Sequence, residues 1–264
     1  MSSAKFIQSK TALITLISAS LVVIISLGIR QTFGLFYFDF STDLDISITQ
    51  FGFAIGLQLF LWGLFGPLFG IITDKYGGNF AIFLGFLFYL AGVFLFYLGF
   101  NTGFYFTLTI GILIGVGLGS TAISIPVAIV AKHFPISNRT IATGIVTSAG
   151  SFGYFVSPLI VRYSLIETSW ETTLLYFVFF LTLGLVVALF ITTPKIPVGS
   201  TAQENKETAS EAIKKAFSSK SYIYLTLGFF VCGWHIALVA THIPTYVNDR
   251  GLPEWCAAAI LALI

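Results

Sequence analysis

The chain has 264 residues, 56% of them hydrophobic and 9% charged, with 13 Lys and Arg against 11 Asp and Glu, and a mean hydropathy of +0.94. Soluble domains carry about 25% charged residues, and a soluble core of this length would not absorb so much apolar surface. The composition therefore excludes an ordinary soluble domain and points to a membrane protein. Two cysteines, Cys232 and Cys256, make no disulfide framework and read as free thiols used as small hydrophobes. No CxxC, HExxH or Walker-type run occurs, so no metal, cofactor, phosphate-binding loop or nucleic-acid partner is expected.

Lys5 and Lys10 precede an apolar run from Thr11 to Ile29. The run exceeds the roughly 7–15 residues of a signal-peptide core and lacks a cleavage site, so it reads as a first membrane helix with a cytoplasmic N-terminus. A spanning helix needs about 20 apolar residues. Seven runs qualify, at 11–38, 50–72, 79–100, 104–131, 140–162, 172–193 and 222–247, and 256–264 starts an eighth. Connectors are short except for the polar segment from Pro194 to Ser221.

Charge position tests this topology. With the N-terminus inside, the inner segments hold Lys5, Lys10, Lys75, Lys132, Arg139, Lys195, Lys206, Lys214, Lys215 and Lys220. The outer loops hold Asp39, Asp43, Asp45, Glu167, Glu171, Asp249 and Glu254, with Arg162 and Arg250 at outer ends. The positive-inside rule is met loop by loop. In the long inner connector, Thr208 and Glu211 fit a capping box, Ile213 and Phe217 share a face, and Glu211 can pair with Lys215, which predicts a short amphipathic surface helix. The expected organisation is a six-helix bundle over 1–193, a cytoplasmic linker over 194–221, and the start of a second bundle over 222–264. Six spans, a polar linker and further spans is the layout of transporters built from two six-helix halves. The run from Cys256 to Ile264 is too short to span, so the chain is expected to be a fragment of a longer protein or a truncated gene product.

The loop between runs two and three reads GPLFGIITDKYGG. Gly70, Asp74, Lys75, Gly77 and Gly78 in this loop resemble the signature of the major facilitator superfamily in sequence and position, with Asn79 departing from its usual basic residue. The resemblance implies an all-α membrane bundle and a gating role for these five residues, with the acid locking one half against the other. Independently, glycines permit a tight turn, and an anion sits well at a helix N-terminus. Run five, with Gly144, Gly150, Gly153 and Pro158, loosely resembles the fifth helix of that family. Run four carries Gly111, Gly115, Gly117 and Gly119, spacings that favour close helix packing, and lacks the arginine common in the drug and proton antiporters. Pro67, Pro126 and Pro244 each remove one helix hydrogen bond, freeing the carbonyls of Gly63, Ala122 and Ala240.

In CGWHIALVATHIPTY of run seven, His235 and His242 project from one face with Val239 and Tyr246. The stripe reads as a polar lining with groups that titrate near neutral pH. Arg30 lies within the first run, nine residues from Asp39, about 13 Å at helical rise. Burying it near the midplane costs about 2.5–3.5 kcal/mol on insertion scales. No acid lies deep in any run. Three readings remain: an anion site facing a cavity, a snorkelling side chain, or a pair with an acid beyond Ile264. SLGIRQTFGLF and CGWHIALVATHIP resemble the monocarboxylate-transporter and oxalate–formate-antiporter branch, which places a basic residue in helix one and a similar histidine run in helix seven.

The expected function is a secondary carrier of small organic anions, monocarboxylates or short dicarboxylates, working by alternating access in the bacterial cytoplasmic membrane. It would be proton-coupled or exchange a counter-anion, and act as a monomer. Arg30 would neutralise the carboxylate, and His235, His242 and Tyr246 would orient it or relay a proton. Gln58, Ser120, Ser124 and Ser148 are further lining candidates. The alternatives are a sugar or drug carrier, a seven-helix receptor, or an inert truncated carrier. The receptor reading is weakened by the absence of a lysine after Lys220, where a retinal Schiff base would form.

Overall fold

A computed structural model describes residues 10–99, 102–193, 209–253 and 255–263. Lys5, Lys195, Lys206, Thr208 and Glu254 lie outside the described residues, as do the side chains of Glu211 and Ile213. Among the described residues seven helices are long and apolar enough to cross a membrane. Span one is Lys10–Leu44, span two Ile48–Tyr76, span three Gly78–Leu98, span four Gly103–His133, span five Ile136–Glu167, span six Trp170–Ala188 and span seven Lys220–Asp249. A linker helix, Ala209–Ser218, precedes span seven, and an eighth helix, Trp255–Leu263, follows it.

Hydroxyl side chains start several of these helices by accepting from orphan N–H groups of the first turn. Ser47 forms a full capping box with Gln50: its Oγ accepts from the Gln50 N–H at 3.3 Å, and its own N–H donates to Gln50 Oε1 at 3.0 Å. Thr102, Ser169 and Ser219 cap spans four, six and seven through the hydroxyl alone, which accepts from the N–H of Tyr105, Thr172 and Tyr222 respectively. Span one ends on Asp45 in the left-handed region at φ 53°, a conformation that Asp and Asn tolerate better than most residues.

Two spans depart from the simple runs read in the sequence. Span one continues to Leu44 through a 3-10 turn at Phe33–Phe36 and a short helix from Tyr37. That last stretch is amphipathic, with Phe40 buried, Asp39 and Ser41 half-buried and Asp43 exposed, so apolar length alone ends the span too early. Span four is broken into a first turn, a π-helical stretch at Thr107–Leu113, the helix Ile114–Thr121 and the helix Ser124–His133. The last break falls at Ala122, with ψ −140°. Ala122 is the residue whose carbonyl Pro126 leaves without its helical donor. At Pro67 the helix continues unbroken.

The spans alternate between two ends. At one end Lys132 Nζ pairs with Asp74 at 2.9 Å, and the Gly78 N–H donates to Thr193 Oγ1 at 2.6 Å. At the other, Trp170 Nε1 donates to Asp43 Oδ2 at 2.8 Å. The first end also carries Lys10, Lys75, Arg139, Lys214, Lys215 and Lys220, and is called the basic end below. The second carries Asp39, Asp45, Glu167, Glu171 and Asp249, and is called the acidic end. Near the acidic end an aromatic cluster ties five spans together. Phe40 packs on Phe36, Phe96, Phe106 and Trp170 at ring separations of 5.5, 5.1, 5.8 and 5.4 Å, and Phe51 stacks on Phe106 at 5.8 Å. Such pairs add to area burial by about 0.5–1.5 kcal/mol each.

Spans one and five cross closely because glycine faces backbone on both sides. A Cβ on Gly153 would lie 2.7 Å from the Ile24 carbonyl oxygen, and one on Gly28 would meet Ser157 Oγ and lie 3.3 Å from the Gly153 carbonyl. This approach lets dispersion contacts between helices accumulate where water supplies no driving force. Span seven packs differently at its two ends. Every residue from Lys220 to His235 is exposed, whereas Ala240, Thr241, Pro244 and Val247 are buried.

Candidate functional site

Arg30 occupies the last turn of the straight helix of span one, just before the 3-10 turn. Its side chain is 4% exposed, and it turns into the bundle. Tyr89 of span three and Tyr154 of span five are its electrostatic neighbours. Its Nη1 donates to Gln31 Oε1 at a long 3.5 Å, and its Nε is buried without a hydrogen-bond partner. Among the described residues no carboxylate pairs with it. A buried guanidinium with an unused donor and no counter-charge is an unfinished site, because buried charges are ordinarily paired and hydrogen-bonded.

A polar belt surrounds the cation. Ser26 Oγ and Thr121 Oγ1 are 2.7 Å apart. Tyr89 Oη donates to the Ser26 carbonyl at 3.3 Å, and Gln31 Nε2 donates to the Leu261 carbonyl at 3.4 Å. The belt thus draws on spans one, three, four and five and on the eighth helix. Tyr89 is fully buried. Neither Tyr89 nor Tyr154 was singled out from the sequence, because a tyrosine in an apolar run carries no period or motif. The only signal was a phenolic tip within a span, where such a group needs a partner.

The span-seven stripe lies elsewhere. His235 is exposed, and its Nδ1 lies 2.9 Å from the Val231 carbonyl of its own helix. His242 is exposed beside Gly52 of span two, 3.9 Å from a Cβ placed there. Tyr246 is exposed, with the Arg250 guanidinium 5.2 Å above its ring. The face of span seven that meets span one is that of Ala240, Thr241, Pro244 and Val247, so His235, His242 and Tyr246 are not brought to Arg30. The reason is local. Pro244 frees the Ala240 carbonyl, and that carbonyl lies against Gly34, fixing the rotation of the helix.

Gln58 and Ser120 lie in helix interfaces. Gln58 is fully buried in span two and donates from Nε2 to the Ile110 carbonyl in the π-helical stretch of span four at 2.8 Å. Ser120 is buried against Gly85. Ser124 and Ser148 are exposed. In the loop between spans two and three, Gly77 takes φ +96°, and Gly70 is half-buried. Lys75 lies over the Tyr76 ring at 5.1 Å. Gly78 lies against Ile129 and Thr193. Asp74 is held by Lys132 at the end of span four.

At the acidic end a cavity of about 630 Å³ is lined by residues of spans one, two, five and seven and by Ala257 of the eighth helix. Asp39 and Arg162, within electrostatic reach of each other, both line it.

The family model of the Major Facilitator Superfamily matches residues 13–264. The chain belongs to the major facilitator superfamily. It is therefore a multi-pass membrane protein of a transporter family, not an enzyme. It is similar to a hexuronate transporter of Bacillus subtilis (strain 168), 26% identical over 219 residues, covering 80% of this chain and 50% of that protein. Among solved structures it is similar in fold to a bacterial homologue of the human lysosomal transporter Spinster, in an inward-facing and unoccupied conformation. The TM-score is 0.69 at 19% identity, over 96% of this chain and 59% of that one. An auto-inhibited POT family peptide transporter gives 0.51 at 16% identity, over 95% and 55%. The chain spans about half the length of the curated relative it matches.

Proposed function

We propose that this chain forms the first half and the opening helices of a secondary carrier for small organic anions, in which Arg30 receives the substrate carboxylate. One observation carries the reading: a guanidinium 4% exposed, with an unpartnered Nε, amid tyrosine and serine hydroxyls rather than carboxylates. A carboxylate there gains charge-assisted hydrogen bonds, roughly twice as strong as neutral ones. A similar protein is a hexuronate transporter, and a hexuronate is a sugar acid with one carboxylate, which combines an anionic head with a hydroxylated body. Monocarboxylates and short dicarboxylates of the monocarboxylate and oxalate–formate branch fit the same cation.

Transport follows alternating access, the two halves rocking about a site near the midplane. In this reading the basic end faces the cytoplasm, which the excess of Lys and Arg there supports, and the membrane is the bacterial inner membrane. On the same reading the contact of Gly34 with Ala240 of span seven belongs to the closure of the acidic end, and the carrier with that contact made is open toward the cytoplasm. In this reading His235 and His242 supply titratable groups for proton coupling, and the Asp74–Lys132 pair belongs to the gate at the basic end. Gln58 and Ser120 act through helix packing rather than substrate contact.

Uptake into proteoliposomes by the full gene product tests this with glucuronate, lactate and oxalate as labelled substrates. Arg30→Gln is expected to lose uptake by at least about tenfold, with partial recovery in Arg30→Lys. Unchanged uptake of all three by Arg30→Gln would refute the anion role.

A further inference from the structure

We infer that Gln31 is a positioning residue that couples the occupancy of Arg30 to the seat of the eighth helix, so that an anion bound at Arg30 loosens the closure at the acidic end. The inference rests on the anion site proposed above and says how filling it moves the protein.

Gln31 is 1% exposed and bridges two groups. Its Oε1 accepts from Arg30 Nη1 at 3.5 Å, and its Nε2 donates to the Leu261 carbonyl at 3.4 Å. The amide has one workable orientation here. Reversed, its NH₂ would face guanidinium donors and its oxygen would face a carbonyl oxygen. The Leu261 carbonyl has two lone pairs, so this bond is compatible with a helical one. Leu261 is fully buried. Ala257, one helical turn earlier, lines the acidic-end cavity. The bridge therefore runs from the cation to a helix whose other end forms a wall of that cavity.

Gln31 is a neutral acceptor at the long end of hydrogen-bond distance. A carboxylate forms shorter, stronger bonds to the same guanidinium and displaces Oε1. The amide then loses the contact that fixes its orientation, and its donor no longer holds Leu261. A ligand that weakens a contact of the closed form shifts the population toward the open form. By linkage, opening strengthens anion binding by the same factor.

The test uses the full gene product with Cys232 and Cys256 replaced by serine, and Ala257→Cys as a reporter for thiol labelling, since Ala257 is 4% exposed in the closed form. Glucuronate is the probe. In the parent, glucuronate is expected to accelerate labelling. Gln31→Leu should label about three- to tenfold faster than the parent without ligand, with no further gain from glucuronate, while its glucuronate affinity stays equal or tightens. Gln31→Glu keeps the shape but pairs with Arg30 and loses the donor. It should label fast and bind glucuronate at least about tenfold more weakly. A residue that only packs would not divide affinity from movement in this way.

Parent-like labelling in both variants, with the glucuronate response intact, would overturn the inference. The ligand-free comparison needs no substrate, so it stands apart from the anion site. That site fails instead if Arg30→Gln binds glucuronate as the parent does.

Discussion

Gly34 of span one lies directly against the backbone carbonyl of Ala240 in span seven, with the Pro244 ring 3.2 Å from where a Cβ would stand. The carbonyl is the one Pro244 releases from the helical ladder, and the missing side chain at Gly34 lets it approach. This contact holds the two spans together at the acidic end while span seven from Lys220 to His235 stays exposed.

Gly34→Val should therefore open the acidic end. The added methyls meet backbone, which cannot retreat without moving span seven, and overpacking of this kind costs about 1–3 kcal/mol. Spin labels at Phe38 and Arg250 should show a longer distance population in the variant, shifted about tenfold relative to the parent. An unchanged distance distribution would mean that the closure does not depend on this contact.

Two glycines of span five should respond in opposite directions. Gly153→Ala places a Cβ 2.7 Å from the Ile24 carbonyl oxygen and should lower stability by about 1–3 kcal/mol. Gly144 has nothing within 4 Å of such a Cβ, so Gly144→Ala should be neutral or stabilising by up to about 1 kcal/mol through helix propensity. Thermal unfolding in detergent compares them; equal shifts would refute the close-packing account of the span one–span five crossing.

Gln58→Leu should weaken the protein without touching substrate binding. The variant leaves the Ile110 carbonyl without its 2.8 Å donor, a loss of about 1–3 kcal/mol for a buried group. Substrate affinity should stay within about twofold of the parent. A large affinity loss with unchanged melting would return Gln58 to the substrate path.

The Asp74–Lys132 pair should matter little to folding. Its side chains are 73% and 33% exposed respectively, and exposed pairs contribute about 0–1 kcal/mol. Asp74→Asn should shift the melting temperature by no more than about 3 °C, and less at high salt. If the pair serves the gate, transport rate should change far more than melting. A parallel loss of both would mark it as structural.

The helical membrane fold and the location of Arg30 in an apolar run were legible in the sequence. Apolar run length, glycine and proline placement and the Lys and Arg bias are local properties that any chain of this order carries with it. What surrounds Arg30 was not legible, since Tyr89, Tyr154 and the Leu261 carbonyl come from three separate helices and share no spacing with it. The rotation of span seven was decided the same way. The stripe of His235, His242 and Tyr246 is a true helical face, but periodicity says which residues share a face and not where that face turns. The packing of Ala240 on Gly34 set that direction, because a helix in a bundle is oriented by its closest backbone approach. The sequence by itself determined a bundle of membrane helices with one cation inside it; the tertiary structure alone decided that this cation sits with Tyr89 and Tyr154 and is tied through Gln31 to the eighth helix.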